Sequence, residues 1–120
     1  MLNLSDLQTV YRETVDNENL KIVSDKNITI GAKVYINEKQ APDKVYIYKS
    51  YSHKLVVKNG IIVERYFLEK INEYIFEKIL DTEPKIGDKI ILLNGEKVKN
   101  GKYKYSFLKS YHTDNGIIVK

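Results

Sequence analysis

Two stretches of this chain occur twice. Ile30-Gly31-Ala32-Lys33-Val34 returns as Ile86-Gly87-Asp88-Lys89-Ile90, and Asn59-Gly60-Ile61-Ile62-Val63 returns unchanged as Asn115-Gly116-Ile117-Ile118-Val119. Between these ends Asn37 aligns with Asn94, and Tyr46-Ile47-Tyr48 with Tyr103-Lys104-Tyr105. Residues 28–64 and 84–120 therefore read as two copies of one small antiparallel β unit. A chain of 120 residues is one domain by size, or two very small ones. Units below about 40 residues seldom fold alone without disulfides or metal, and there is no cysteine. The two copies are expected to share a core, with each other or with another subunit.

Turn chemistry supports the β reading. Asn-Gly is the strongest short hairpin signal, because a type I′ turn needs positive φ at both central residues. Leu55-Val56-Val57, Lys58-Asn59-Gly60 and Ile61-Ile62-Val63 thus spell a tight hairpin, and Asn115-Gly116 closes the second copy in the same way. Gly31 and Gly87 are expected at bends, and Leu20 to Val23 as a first strand.

Two segments carry helical spacing instead. In residues 4–16, Leu4, Leu7, Tyr11 and Val15 form one apolar stripe behind Ser5 as a cap. In residues 66–80, Leu68, Ile71, Ile75 and Ile79 form another, with Glu69, Lys70, Glu73, Glu77 and Lys78 off it. The β-branched and aromatic content of the second makes a strand beginning near Tyr66 its competitor. The expected fold is β-rich α+β. It comprises an N-terminal helical docking segment (1–27), a first β repeat (28–64), a connecting helix (65–83) and a second β repeat (84–120), in one compact domain.

The chemistry-bearing residues are sparse. His53 and His112 are the only histidines. With no carboxylate at matching spacing they make a poor metal site. Ser50, His53 and Asp43 lack the nucleophile elbow of a hydrolase. The glycines form neither a dinucleotide nor a P-loop fingerprint. Expected, then, are no catalytic residues, no cofactor and no metal. The start of the chain has no signal-peptide pattern and no stretch reaches the ~20 apolar residues of a membrane span. The sequence therefore reads as that of a soluble protein without a membrane partner, cytoplasmic in its host cell or part of a virion.

Net charge is +4, unevenly spread. Residues 28–63 and 84–120 carry 6 and 8 Lys or Arg against 2 and 3 carboxylates, whereas residues 64–83 carry 3 against 6. Within the basic repeats, Tyr46, Tyr48, Tyr51, Tyr103, Tyr105 and Tyr111 alternate with lysines such as Lys49 and Lys104. Together with Leu4, Leu7 and Tyr11 of the first helix, they are the expected interaction surface. Tyrosine-rich sheet faces serve protein interfaces, since tyrosine buries large area at low entropy cost. Aromatics interleaved with lysines also resemble single-strand nucleic-acid platforms. Against that second use, Arg12 and Arg65 are the only arginines.

Gly31-Ala32-Lys33-Val34, Ala41-Pro42-Asp43-Lys44-Val45-Tyr46 and Val57-Lys58-Asn59-Gly60-Ile61-Ile62 resemble a module of small accessory proteins from AT-rich Bacteroidetes-type genomes and their phages. The second copy keeps Gly87-Asp88-Lys89-Ile90, Asn94-Gly95, Asn100-Gly101-Lys102-Tyr103 and Asn115-Gly116-Ile117-Ile118 but loses Ala-Pro, and Lys44 stands where the pattern has Gly. The resemblance implies a non-enzymatic accessory role, concretely in a phage capsid or head–tail assembly. The partners implied are proteins of the larger assembly or further copies of this chain. A nucleic-acid-binding module is the alternative.

Overall fold

The structure, a computed structural model, describes residues 8–24 and 30–120. Among these residues every regular element is a β-strand, and all pairings are antiparallel. The strands are β1 (Gln8–Glu13), β2 (Asn19–Ser24), β3 (Lys33–Ile36), β4 (Lys39–Gln40), β5 (Lys44–Ile47), β6 (His53–Lys58) and β7 (Ile61–Ile71). They continue as β8 (Tyr74–Lys78), β9 (Lys89–Leu92), β10 (Gly101–Lys104), β11 (Ser110–Asp114) and β12 (Ile117–Ile118). The chain divides into two compact units, Met1–Arg65 and Tyr66–Lys120. No helix is long and apolar enough to cross a membrane among the described residues, which leaves β-barrels aside.

Neither expected helix forms in the described residues. Within 4–16, residues from Gln8 onward run as β1 against β2, while Leu4 and Leu7 lie outside the described residues. Residues 66–80 are the end of β7, a reversal at Asn72-Glu73 with Asn72 at φ 56°, and β8. The physical reason is composition. Tyr66, Phe67, Ile71, Tyr74, Ile75 and Phe76 prefer a pleated surface, and β8 is buried on both faces from Ile75 to Lys78. A strand buried on both faces shows no alternation, so its apolar spacing passes for a helical stripe. The helical stripe would bury Ile79, but Ile79 is exposed while Ile75 is fully buried. The units also depart from the two-copy boundaries. The first runs through Arg65 and the second begins at Tyr66, because the segments read as helices are strands of these sheets.

In the first unit β1, β2, β3 and β7 lie in that order, and β5 and β6 follow on the other side of β7. The foot of β1 meets the end of β5, where Thr14 bridges Tyr48 and the Lys49 N–H donates to the Glu13 carbonyl at 2.8 Å. Leu20, Ile22, Val34, Tyr46, Tyr48, Leu55, Val57 and Ile62 fill the interior. In the second unit the order is β7, β8, β9, β12, β11, β10. Its interior is Phe76, Ile90, Val98 and Ile118, walled by Ile71, Tyr74, Tyr103, Tyr105 and Tyr111.

Both Asn-Gly hairpins form as expected. Asn59 and Gly60 sit at φ 54° and 73°, Asn115 and Gly116 at 55° and 79°. In the first unit the Gly31 N–H donates to the Ile62 carbonyl at 2.8 Å, Ile62 to Ala32 at 2.9 Å, and Val34 to Gly60 at 2.8 Å. In the second, Gly87 donates to Ile118 at 2.9 Å, Ile118 to Asp88 at 2.8 Å, and Ile90 to Gly116 at 2.9 Å. The φ of 73° favours glycine at position 60, and a Cβ there would stand 2.3 Å from Gln40 Cγ, so the exposed Gln40 side chain would also have to shift.

Denaturant melts separate strand from helix in residues 66–80. Ile75→Ala should cost about 2–5 kcal/mol as a buried truncation, and Ile79→Ala less than about 0.5 kcal/mol as a surface change. Equal, large losses at both positions would restore the helical stripe.

Candidate interaction surface

The expected tyrosine surface separates into three groups. Tyr46 and Tyr48 are core residues, so neither offers a ring face to a partner. Tyr46 donates its hydroxyl to the Pro42 carbonyl at 2.8 Å. Tyr48 packs on His53 with centroids 5.2 Å apart, and burial pushes its phenol up to about 12. Tyr103, Tyr105 and Tyr111 are half-buried around the β8 aromatics. Tyr74 meets Tyr103 at 5.2 Å, and Phe76 meets Tyr105 at 5.2 Å and Tyr111 at 5.7 Å, all edge-on. Such edge contacts add to area burial, so these rings hold the second unit together. Tyr51 is half-buried in the β5–β6 turn, and Tyr11 is exposed on β1. Lys49 pairs with Glu13 at 3.3 Å, and Lys104 lies over the Phe107 ring at 5.7 Å. No group of His, Asp or Glu suited to a metal occurs among the described residues.

The exposed apolar side chains lie elsewhere. In the first unit Ile30, Ile61 and Val63 are 60, 38 and 39% exposed; in the second Ile86, Ile117 and Val119 are 73, 39 and 46% exposed. The Gly31-to-Ile62 hydrogen bond sets Ile30 beside β7, and the Gly87-to-Ile118 bond does the same for Ile86 beside β12. Lys33 stands opposite Ile61 in register, and Lys89 opposite Ile117, both lysines exposed. Each unit therefore presents an isoleucine-isoleucine-valine trio with an ammonium group next to it. The identity of Asn59-Gly60-Ile61-Ile62-Val63 and Asn115-Gly116-Ile117-Ile118-Val119 was visible in the sequence. What was not visible was that alternate members of it point to solvent.

The second exposed feature is the β10–β11 turn, where Phe107 and Leu108 are each 87% exposed. The turn is braced from below. The Tyr105 hydroxyl donates to the Glu69 carboxylate at 2.9 Å, and the buried Lys78 ammonium donates to the same carboxylate and to the Thr82 carbonyl at 2.6 Å. Lys109 pairs with Glu83, and the Tyr74 hydroxyl donates to the Lys104 carbonyl. Lys78 read as a solvated lysine in the sequence; its burial depends on Glu69 two strand positions from the β7 reversal, a contact with no local signature.

Comparison with known proteins returned no matching family model, no matching curated protein and no matching solved structure.

Burial, and then the Glu69 carboxylate, raise the Tyr105 phenol from its ordinary 10.0 to about 12. The fold favours the neutral phenol, so this contribution is complete below pH 10 and is lost as pH rises from about 10 to about 12. Thermal melts from pH 9 to 12 should show a shallower alkaline fall for Tyr105→Phe than for the wild type. An unchanged slope would mean that Glu69 and burial do not hold this phenol.

Proposed function

We propose that the two units carry copies of one β module and that the protein is a non-enzymatic docking protein, binding a repeated element of a larger assembly through both copies. One observation carries this reading. The same apolar trio beside a lysine is exposed in each unit, two of its three members in the stretch whose sequence is unchanged between them. The core accounts for Ile62 and Ile118, and the turn accounts for the Asn-Gly pairs. Neither accounts for Ile61, Val63, Ile117 and Val119, since threonine would suit an exposed strand position as well. Exposed apolar clusters rimmed by polar groups mark interaction sites.

Several paired contacts support the duplication. Tyr46 donates to Pro42 at 2.8 Å as Tyr103 does to Lys99 at 2.7 Å. Asp43 Oδ1 accepts from the Asn59 N–H at 2.7 Å as Asn100 Oδ1 does from Asn115 at 2.7 Å. With the resemblance to phage accessory modules, the concrete assembly is a phage particle, on which the chain sits in many copies. The element bound would be apolar with a carboxylate to meet Lys33 and Lys89. The buried Tyr46 and Tyr48 weigh against the nucleic-acid alternative, which needs free ring faces.

Two linked sites should bind with avidity. In co-sedimentation with the particle fraction of the source culture, Ile61→Ser and Ile117→Ser should each weaken retention of the full chain. The double variant should lose far more than either. Retention that ignores both positions would contradict the reading. Micromolar binding of a labelled oligonucleotide at physiological salt would favour the nucleic-acid module instead.

A further inference from the structure

We propose that the β10–β11 hairpin is a membrane-surface contact, its Phe107-Leu108 tip entering the acyl boundary of an anionic bilayer while Lys102 and Lys104 meet lipid phosphates. That no helix among the described residues is long and apolar enough to cross a membrane does not bear on this, because a tip of two side chains touches one leaflet only.

The turn itself does not require these residues. Its geometry comes from backbone bonds: the Tyr105 N–H donates to the Lys109 carbonyl at 2.9 Å, and Ser106 and Lys109 bond each other at 3.1 and 3.3 Å. The β5–β6 connection closes by a like bond, Tyr48 to His53 at 3.0 Å, and fills its turn with Lys49-Ser50-Tyr51-Ser52. There the Ser50 and Ser52 hydroxyls bond each other at 2.8 Å. A polar turn thus serves the same closure, and the Phe-Leu pair serves something outside the turn.

The charge beside the tip favours an anionic occupant. Lys102 pairs with His112 across the hairpin and Lys104 with Ser110, and these four exposed residues share its outer face. Tyr103 and Tyr105 point to the opposite, inner side. Lys104 already lies against the Phe107 ring, so ammonium and aromatic ring are side by side, as at a headgroup boundary. Glu83, the carboxylate bound to this turn, is taken up by Lys109. The tip is convex and braced through Tyr105, Glu69 and Lys78, so little ordering is required on contact. A bilayer accepts a convex apolar tip without a matching pocket, whereas a protein partner would need one.

The chain has no tryptophan, so Phe107→Trp supplies a single reporter at the tip. Full-length protein is titrated with phosphatidylcholine vesicles, with and without phosphatidylserine. Expected are co-sedimentation and a blue-shifted tryptophan emission with the phosphatidylserine vesicles only. Leu108→Ser should weaken binding at least about tenfold, the worth of one buried leucine. Lys102→Glu and Lys104→Glu should each weaken it about fivefold or more, with a flatter salt dependence. Unchanged melting curves would show that these surface variants keep the fold. No sedimentation with either vesicle would overturn the proposal. So would sedimentation with unshifted emission and no effect of Leu108→Ser, since charge alone would then be acting. A blue shift without lipid would assign the tip to a protein contact instead. None of these outcomes depends on Ile61 or Ile117, so they stand apart from the co-sedimentation with particles.

Discussion

The structure depends on one repeated piece of hydrogen bonding: a strand leaving an Asn-Gly turn is bonded to the strand that enters after a glycine. Gly31, Ile62 and Val34 carry it in the first unit, and Gly87, Ile118 and Ile90 in the second. Asn and Gly supply the two positive-φ residues of the turn, where a β-branched residue would be strained. The next residue but one, Ile62 or Ile118, then points inward and is fully buried. Because side chains alternate along a strand, fixing that isoleucine inside sends its neighbours Ile61 and Ile117 outward. The same register that builds each core thus creates each exposed trio.

The turns, the glycine bends and the strand at Leu20 to Val23 were legible because they rest on local chemistry. The helical spacing misleads for a physical reason. Spacing of Leu68, Ile71, Ile75 and Ile79 fits a helical stripe and equally fits two strands about a reversal, and only the partner strands decide between them. Glu77 and Lys78 added to the error, since charge reads as solvent exposure, yet both are buried in β8. The tyrosines were read as a surface because lysines alternate with them. In the fold that alternation places the lysines outside and the rings inside, as with Tyr103 and Lys104. Phe107 and Leu108 carry no local turn signal, and only the end of β10 at Lys104 frees them as a tip.

Polar groups inside the second unit hold its exposed features in place. Lys78 donates to Glu69 and to the Thr82 carbonyl, which ties β8, β7 and the segment after β8 together. Glu69 also accepts from Tyr105, so the same carboxylate steadies the foot of the β10–β11 hairpin. A buried ammonium left without its carboxylate is strongly destabilising, and Glu69 therefore links packing to the position of the tip. The first unit holds its own β5–β6 turn differently, with Tyr48 buried and the turn polar. The two units thus share the ladder around the Asn-Gly turn and differ at this second turn.

The proposal that the two exposed trios do the same job is testable on the bound chain. Methyl cross-saturation tests it directly, with isoleucine δ1 methyls labelled in the full chain and the source particles present in small excess of chain. Transfer is expected to Ile30 and Ile61 and, to a similar degree, to Ile86 and Ile117, with little at the buried Ile62 and Ile118. Transfer confined to one unit, or absent from both trios while the chain is bound, would contradict it.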